Sequence, residues 1–435
     1  MHLRPLRHRD FSLLWWAGLI SLTGTWAMRV ALPLYVLALT GSPACVAAVV
    51  AAALAGTILL GPVGGAYVDR WDRRRVVVAV NALLALTMLP LIVLDEPRRW
   101  PIAVAVAFVE AALNQFGQPA ENALLPRLVR ATELVAANAL NGLNNNTGRL
   151  FGPVLGGVVA ATVGLPGAAV LNAATFAVAA VLCALIAGRH RARDTVPPRL
   201  LGDLVDGFRA AAGLRTVRAI AVLLAVTSVG EGVMSTLVAV FVTGPLGADS
   251  RALGSMMSAQ AVGGVVGSLL SARLAHRFRP VPLIAASYAC FGVVDVLIFN
   301  CPRLGAGLWP VVALFGLAGV PVGVHVPVIW ALFQRTTPDA VRGRAFAAIW
   351  TGAAVAGVVG AALAGWLGGT VDVLTLLTVQ GVGPILAAAL FRLIAGAGPA
   401  PETRTPGRPA VPLTRSAGRC DGEVSTPPPT RRSPP

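Results

Sequence analysis

Twelve apolar runs of roughly twenty residues, set apart by short breaks rich in Arg, Pro and Gly, constrain this 435-residue chain more than anything else in it. They cover Phe11–Leu39, Cys45–Val68, Val76–Leu94, Pro101–Gln118, Ala136–Val163, Gly167–Ala187, Ala219–Val242, Leu253–Ala275, Val281–Phe299, Leu308–Leu332, Arg344–Leu367 and Val371–Ile394. About 20 apolar residues wound as an α-helix cross a hydrocarbon core of about 30 Å. Lipid offers no partner to a free backbone N–H or C=O, so runs of this length cross as helices. The expectation is an all-α membrane protein with twelve transmembrane helices in two six-helix bundles. Only 12% of the residues are charged against 56% hydrophobic, with mean hydropathy +0.74, where a soluble domain would carry about 25% charged.

Net charge +16 raises the question of nucleic acid. The arginines, however, sit in short loops and in the tail, as the positive-inside rule distributes them. No basic stripe interleaved with aromatics accompanies them, so nucleic-acid binding is excluded. The chain contains no lysine. That removes a phosphate-cradling Walker A loop and Lys-based covalent catalysis, and with them an ATP-driven pump. The five cysteines, Cys45, Cys183, Cys290, Cys301 and Cys420, show no C-x-x-C spacing, so neither a disulfide framework nor a metal site is expected. No cofactor is expected either. The first run is too long for a cleavable signal and ends in no small-residue cleavage site.

Loop charge sets the orientation. Arg70 to Arg75, Arg127, Arg130, the central linker, Arg273 to Arg279, Arg342 and Arg344 all fall on one side, which also holds both termini, so both termini are expected in the cytoplasm. Residues 1–187 form the first bundle, 188–218 a cytoplasmic linker, 219–394 the second bundle and 395–435 a Pro-, Arg- and Ser-rich tail expected to be disordered. Within the linker Leu200, Leu201, Leu204, Val205 and Phe208 share one helical face, the pattern of an amphipathic helix at the inner surface. A shift of 203 residues brings Thr40-Gly41 onto Thr243-Gly244, Val63-Gly64 onto Val266-Gly267 and Arg70 onto Arg273, while Asp69 meets Ala272. Parallel repeats of this kind place substrate between the halves at the bilayer midplane.

Two short stretches carry more than packing. In the loop between the second and third runs, Gly65 is followed by Asp69, Arg70, Arg73, Arg74 and Arg75. A Gly at a helix end admits a close neighbour, an Asp there can face a helix N-terminus or a basic partner, and the arginines hold the loop inside. A generic inside loop would carry arginines too, but not Gly, Asp and Arg in this register. In the fifth run, Gly148, Gly152, Pro153, Gly156 and Gly157 stand in GRLFGPVLGG. Pro153 removes a backbone donor and kinks the helix, while the glycines permit a close crossing, expected with a helix of the other half.

These stretches resemble the major facilitator superfamily: the first its G-x-x-x-D-R-x-G-R-[RK] signature, the second the G-x-x-x-G-P-x-x-G-G motif of its exporters and drug:proton antiporters. Arg9-Asp10-Phe11, Leu39-Thr40-Gly41-Ser42, Ala123-Leu124-Leu125-Pro126, Ala137-Asn138-Ala139-Leu140-Asn141 and Pro338-Asp339-x-x-Arg342-Gly343-Arg344 extend the likeness to the DHA3-type exporter branch, from residue 7 to 394. Two positions depart from the pattern. Asp72 stands where the loop signature has Gly, and the fourth run carries Glu110 in place of the Arg-based motif of proton-coupled antiporters.

Charges inside apolar runs are costly unless paired or wetted, which makes them site candidates. Arg29 lies eleven residues before Thr40, and Glu110 nine after Pro101; at 1.5 Å per residue both are roughly 14–17 Å deep. Arg149 and Glu231 also fall near mid-depth. The resemblance implies that runs one, four, five and seven line the cavity. Glu110, held by Arg29 or Arg149, is then a proton or substrate-cation site with Glu231 across from it; a packing ion pair is the alternative. Asp295 and His325 read as structural polar residues, and Asn144-Asn145-Asn146 as either cavity lining or interhelical bonding. The resemblance implies a multi-pass protein of a bacterial cell membrane, monomeric, in contact with lipid. It is expected to export small amphipathic compounds against protons, as in multidrug efflux, with Asp69 locking an inner gate. An importer of a nutrient or siderophore on the same fold is the alternative. With no zinc motif and no Ser–His pair at mid-depth, an enzyme is not expected.

Overall fold

The computed structural model describes residues 4–68, 71–188 and 200–396. The tail expected to be disordered, and Asp69 and Arg70 of the loop signature, lie outside the described residues. Helices α1 (Arg9–Thr40), α2 (Pro43–Val68), α3 (Arg73–Met88), α4 (Pro101–Leu124) and α5 (Leu134–Ala184) form the first half. A short helix α6 (Leu200–Gly213) follows. Then α7 (Arg215–Thr243), α8 (Ser250–Arg277), α9 (Pro280–Asn300), α10 (Leu308–Thr336), α11 (Asp339–Leu367) and α12 (Val373–Gly396) form the second. Among the described residues eleven helices are long and apolar enough to cross a membrane. The 51-residue α5 makes two crossings, because Gly164 takes φ 67° and ψ −171° inside it. Only glycine enters that backbone region readily, and Pro166 two residues on restarts the helix with a preset φ. That gives twelve crossings, with Arg9 and Gly396 at the same end of the bundle, called here the basic end.

The first half packs α1 on both arms of α5, and α2 and α3 on α4; the second packs α7 on α11 and α12, and α10 on α8 and α9. Two pairs chiefly join the halves, α5 with α8 and α2 with α11. Each crosses at glycines: a β-carbon on Gly254 would strike the Pro153 backbone and one on Gly157 the Ser250 backbone, while one on Gly365 would strike the Ala47 β-carbon. Ser250 Oγ donates to Gly157 O at 2.8 Å and Ser258 Oγ to Leu150 O at 2.5 Å. Counted along the helices, these contacts lie between mid-depth and the end opposite the termini, the far end.

The expected amphipathic linker helix is α6. It docks on α11, with Gly207 against the Arg344 carbonyl and Asp206 Oδ2 3.4 Å from Arg344 Nη1. Val205 and Phe208 remain exposed.

Candidate substrate and coupling site

Arg29 projects from α1, Glu110 from α4, Arg149 from α5 and Glu231 from α7, and the bundle brings all four into one electrostatic neighbourhood. Their focus is Trp26, a residue the sequence reading did not single out. The Arg29 guanidinium lies 4.4 Å from its indole centroid and that of Arg149 5.4 Å. A guanidinium over an indole face is attracted by the ring quadrupole, and more strongly where water is scarce. Glu110 lies in the field of Arg29, and Glu231 in the fields of both Arg29 and Arg149. None of the four makes a direct ion pair with another. The four charges therefore act on one another at a distance, without a closed ion pair. Arg29 and Glu231 are exposed, Glu110 and Arg149 half-buried. Because the cations acting on Glu231 come from α1 and α5, it faces the first half.

The glycine motif of α5 builds this arrangement. Gly148 packs on Leu22 and Trp26, Gly152 on Thr23 and Trp26, and Gly156 on Ala27. These three glycines therefore face α1 of their own half rather than the other half, which corrects the expected crossing. Of the five motif residues it is Pro153 and Gly157, on the adjacent face, that meet α8. One stretch thus serves two contacts: a four-residue glycine spacing presses α5 onto α1, setting Arg149 beside Trp26, while Pro153 and Gly157 form the junction between halves.

The loop signature works within the first half. Arg73 Nη1 donates to Ala123 O at 3.3 Å, Arg74 Nε to Cys183 O at 3.4 Å, and Arg74 Nη2 to Ala184 O. These carbonyls end α4 and α5, where the helix dipole favours a cation. Asp72, at the position where the superfamily has Gly, caps α3 by accepting from Arg75 N at 3.2 Å. Gly65 falls in the last turn of α2. The expected lock by Asp69 rests on a residue outside those described.

Other polar residues within the helices divide as their contacts dictate. Asn144 is buried and donates to Trp15 O at 2.7 Å, whereas Asn145 and Asn146 are exposed. Asp295 accepts from Gln380 at 3.3 Å and His325 stacks on Tyr288 with ring centroids 4.0 Å apart, so both are packed polar residues. Glu121 was missed. Lying beyond the fourth apolar run of the sequence, it belongs to α4, which continues through Pro119, and its carboxylate and the Asn144 amide both face Gly18. Its signal was the polar stripe Glu110, Asn114, Glu121 at helical spacing. Among the described residues no cluster of His, Cys, Asp and Glu could hold a metal ion.

Comparison with known proteins places this architecture. The chain matches the family described as "Transmembrane secretion effector" over residues 1–402. It is 27% identical over 399 residues to the enterobactin exporter EntS of Citrobacter koseri, covering 89% of this chain and 92% of that one. It is likewise 27% identical over 405 residues to EntS of Escherichia coli O1:K1, with the same coverage. Among solved structures it superposes on a bacterial homologue of the iron transporter ferroportin in its inward-facing state with TM-score 0.70 and 17% identity, covering 91% of this chain and 100% of that one. On a bacterial homologue of the lysosomal transporter Spinster the TM-score is 0.69 at 14% identity, covering 91% and 98%. Those two likenesses establish the fold. The chain is a multi-pass membrane transporter of small molecules, not an enzyme, and it belongs to the transmembrane secretion effector family of the major facilitator superfamily.

Proposed function

We propose that this protein exports small amphipathic compounds across a bacterial cell membrane in exchange for protons, by alternating access around the cleft at Trp26. The observation that carries the reading is the meeting of Arg29, Arg149, Glu110 and Glu231, drawn from both halves, without a closed ion pair among them. Two carboxylates sharing the field of two guanidiniums can trade a proton for a substrate charge, because neutralising either one redistributes the pull of Arg29 between the halves. The basic end is cytoplasmic in this reading, and the far-end contacts correspond to a state closed to the outside. Residues 1–187 and 219–394 rock as bodies about those contacts, with Asp69 gating the inner side. The enterobactin exporters similar to this chain transport outward by name, which supports export over import. The lining supplies few groups that would define one substrate, and the working unit is a monomer.

The test is efflux of a panel of hydrophobic dyes and macrolide-like compounds from cells expressing the chain, with and without a protonophore. Protonophore-sensitive efflux, reduced on the order of a hundredfold in Glu110→Gln or Glu231→Gln as expected for loss of an acid–base group, supports the exchange. Efflux indifferent to both protonophore and Glu110→Gln removes the proton from the mechanism and leaves the transporter. Accumulation in place of efflux establishes the importer.

A further inference from the structure

Inside the second half, one carboxyl is buried away from the four charges around Trp26. Asp295 on α9 is 6% exposed and Gln380 on α12 8%. Gln380 Nε2 donates to Asp295 Oδ2 at 3.3 Å. Helix α12 packs on both α9 and α7, and at this level it does so at glycines. A β-carbon on Gly292 would meet Gly381 O, one on Gly381 the Asp295 β-carbon, and one on Gly230 of α7 the Gln380 side chain. The pair is therefore held between closely crossing helices, out of reach of bulk water.

An ionised carboxylate in such a place needs a cation, and the elements packed on α9 bring none to Asp295. Helix α12 carries one, Arg392, twelve residues beyond Gln380 and so about 18 Å along the axis. On α10, Arg335 stands in the last turn and His325 stacks on Tyr288, seven residues before Asp295. On α8, Arg251 opens the helix, while Arg273, His276 and Arg277 stand at its other end. Arg303, just past α9, is taken up by Asn300 and Asp372 at 3.0 and 2.6 Å. The charge that does act on Asp295 is negative: Glu231 of α7, the neighbour of Gly230.

A neutral carboxyl has the opposite requirement. It carries one O–H, and that donor needs one acceptor. Gln380 Oε1 is a buried acceptor to which no group donates. It belongs to the same amide whose nitrogen already bonds the carboxyl. A proton on Asp295 supplies the missing donor, and the two side chains then exchange two hydrogen bonds, amide to acid and acid to amide. Buried polar groups are satisfied as a rule, and here one proton satisfies both.

We propose that Asp295 is a second proton-binding residue, a carboxylic acid at neutral pH that donates to Gln380 Oε1, and that its proton and the proton of Glu231 are held interdependently. Two carboxyls that feel each other in an interior of low dielectric do not both ionise readily, and they titrate as a pair. Glu231 then gives up its proton while Asp295 keeps its own, so the second half does not carry two negative charges at once. The inference deepens the reading of Glu231 as an acid–base group, but the proton on Asp295 needs neither substrate nor gradient, so the two are tested apart.

The experiment is infrared difference spectroscopy of the full chain in phosphatidylcholine nanodiscs, without substrate, over a pH series. At neutral pH exposed carboxyls are ionised. Wild type is expected to show a hydrogen-bonded carboxylic-acid band that shifts in heavy water and is lost in Asp295→Asn; carboxyls common to both proteins cancel in the difference. Gln380→Met should move the band to higher frequency, since it removes the acceptor. Glu231→Gln should displace the pH at which the band disappears. The thermal midpoint of Asp295→Asn should equal that of wild type at neutral pH, because Asn exchanges the same two hydrogen bonds with Gln380, whereas Asp295→Leu should lower it. Identical neutral-pH spectra for wild type and Asp295→Asn overturn the proposal, and so does a raised midpoint in Asp295→Asn, the result of removing a buried charge. A band lost at the same pH in wild type and Glu231→Gln overturns the interdependence. Efflux indifferent to a protonophore would count against the exchange mechanism and leave this band unaffected.

Discussion

At the scale of single residues, the chemistry at the edges of the membrane is set by capping and by short polar contacts. His8 Nε2 and Glu133 Oε2 are 2.7 Å apart, tying the start of α1 to the start of α5. The hydrogen bond from His8 holds the Glu133 carboxyl below its usual range. A depressed folded pKa means that the contact stabilises the protein above the ordinary carboxylate range and is lost as pH falls through the folded value. Wild type should therefore lose hydrogen-exchange protection at the first turn of α5 between pH 6 and roughly pH 3, whereas Glu133→Gln should be unprotected at both; equal acid sensitivity in the two proteins would refute the link. Charges at this scale were legible in the sequence, because Arg29, Glu110, Arg149 and Glu231 interrupt apolar runs where an ion is conspicuous. Trp26 was not. An indole among apolar residues carries no mark of what will stack on it, and its role exists only once α5 has brought Arg149 alongside.

Among the elements, span positions were readable to within a few residues, since hydropathy measures a physical length. The break between the fifth and sixth spans was also visible, as Gly164 and Pro166 are the residues a reversal without a loop requires. What a one-dimensional pattern could not assign was the partner of a glycine face. GRLFGPVLGG announces close approach, but two adjacent faces of one helix meet two different helices, and the spacing fits either. Gly156→Leu tests the assignment. Its β-carbon would meet the Ala27 backbone, which cannot yield as a flexible side chain would, so overpacking should cost about 1–3 kcal/mol. The thermal midpoint should fall, and cross-linking between cysteines placed on α1 and α5 should weaken while that between α5 and α8 persists. Loss of the α5–α8 cross-link alone would assign the face to the other half.

For the whole molecule, two halves and a central cleft followed from the repeat and from loop charge, but the conformational state did not: a sequence encodes every state of the cycle at once. The close contacts between halves described above lie from mid-depth to the far end, so the cleft should be reachable from the cytoplasmic side. Asn145 is exposed and stands one turn before Arg149. In a protein whose five cysteines are replaced by serine, Asn145→Cys should react with a membrane-impermeant maleimide in inverted vesicles several-fold faster than in right-side-out cells. The reverse ratio would mean that the resting protein opens outward.

The far-end junction, in which Gly157 and Gly254 receive backbone, Gly365 receives the Ala47 β-carbon, and Ser250 and Ser258 add two hydroxyl donors, is crossed by no ion pair among the described residues; Arg251 and Asp249 pair within the second half. Such a seam owes its register to shape and two neutral hydrogen bonds. Parting it strands no ion in lipid, so the rate at which the far side opens should be indifferent to ionic strength. Because neither backbone nor an alanine β-carbon can rotate out of the way, any side chain grown on one of those glycines acts as a wedge: it leaves each half intact and shifts the resting population of the whole transporter toward the outward-open state.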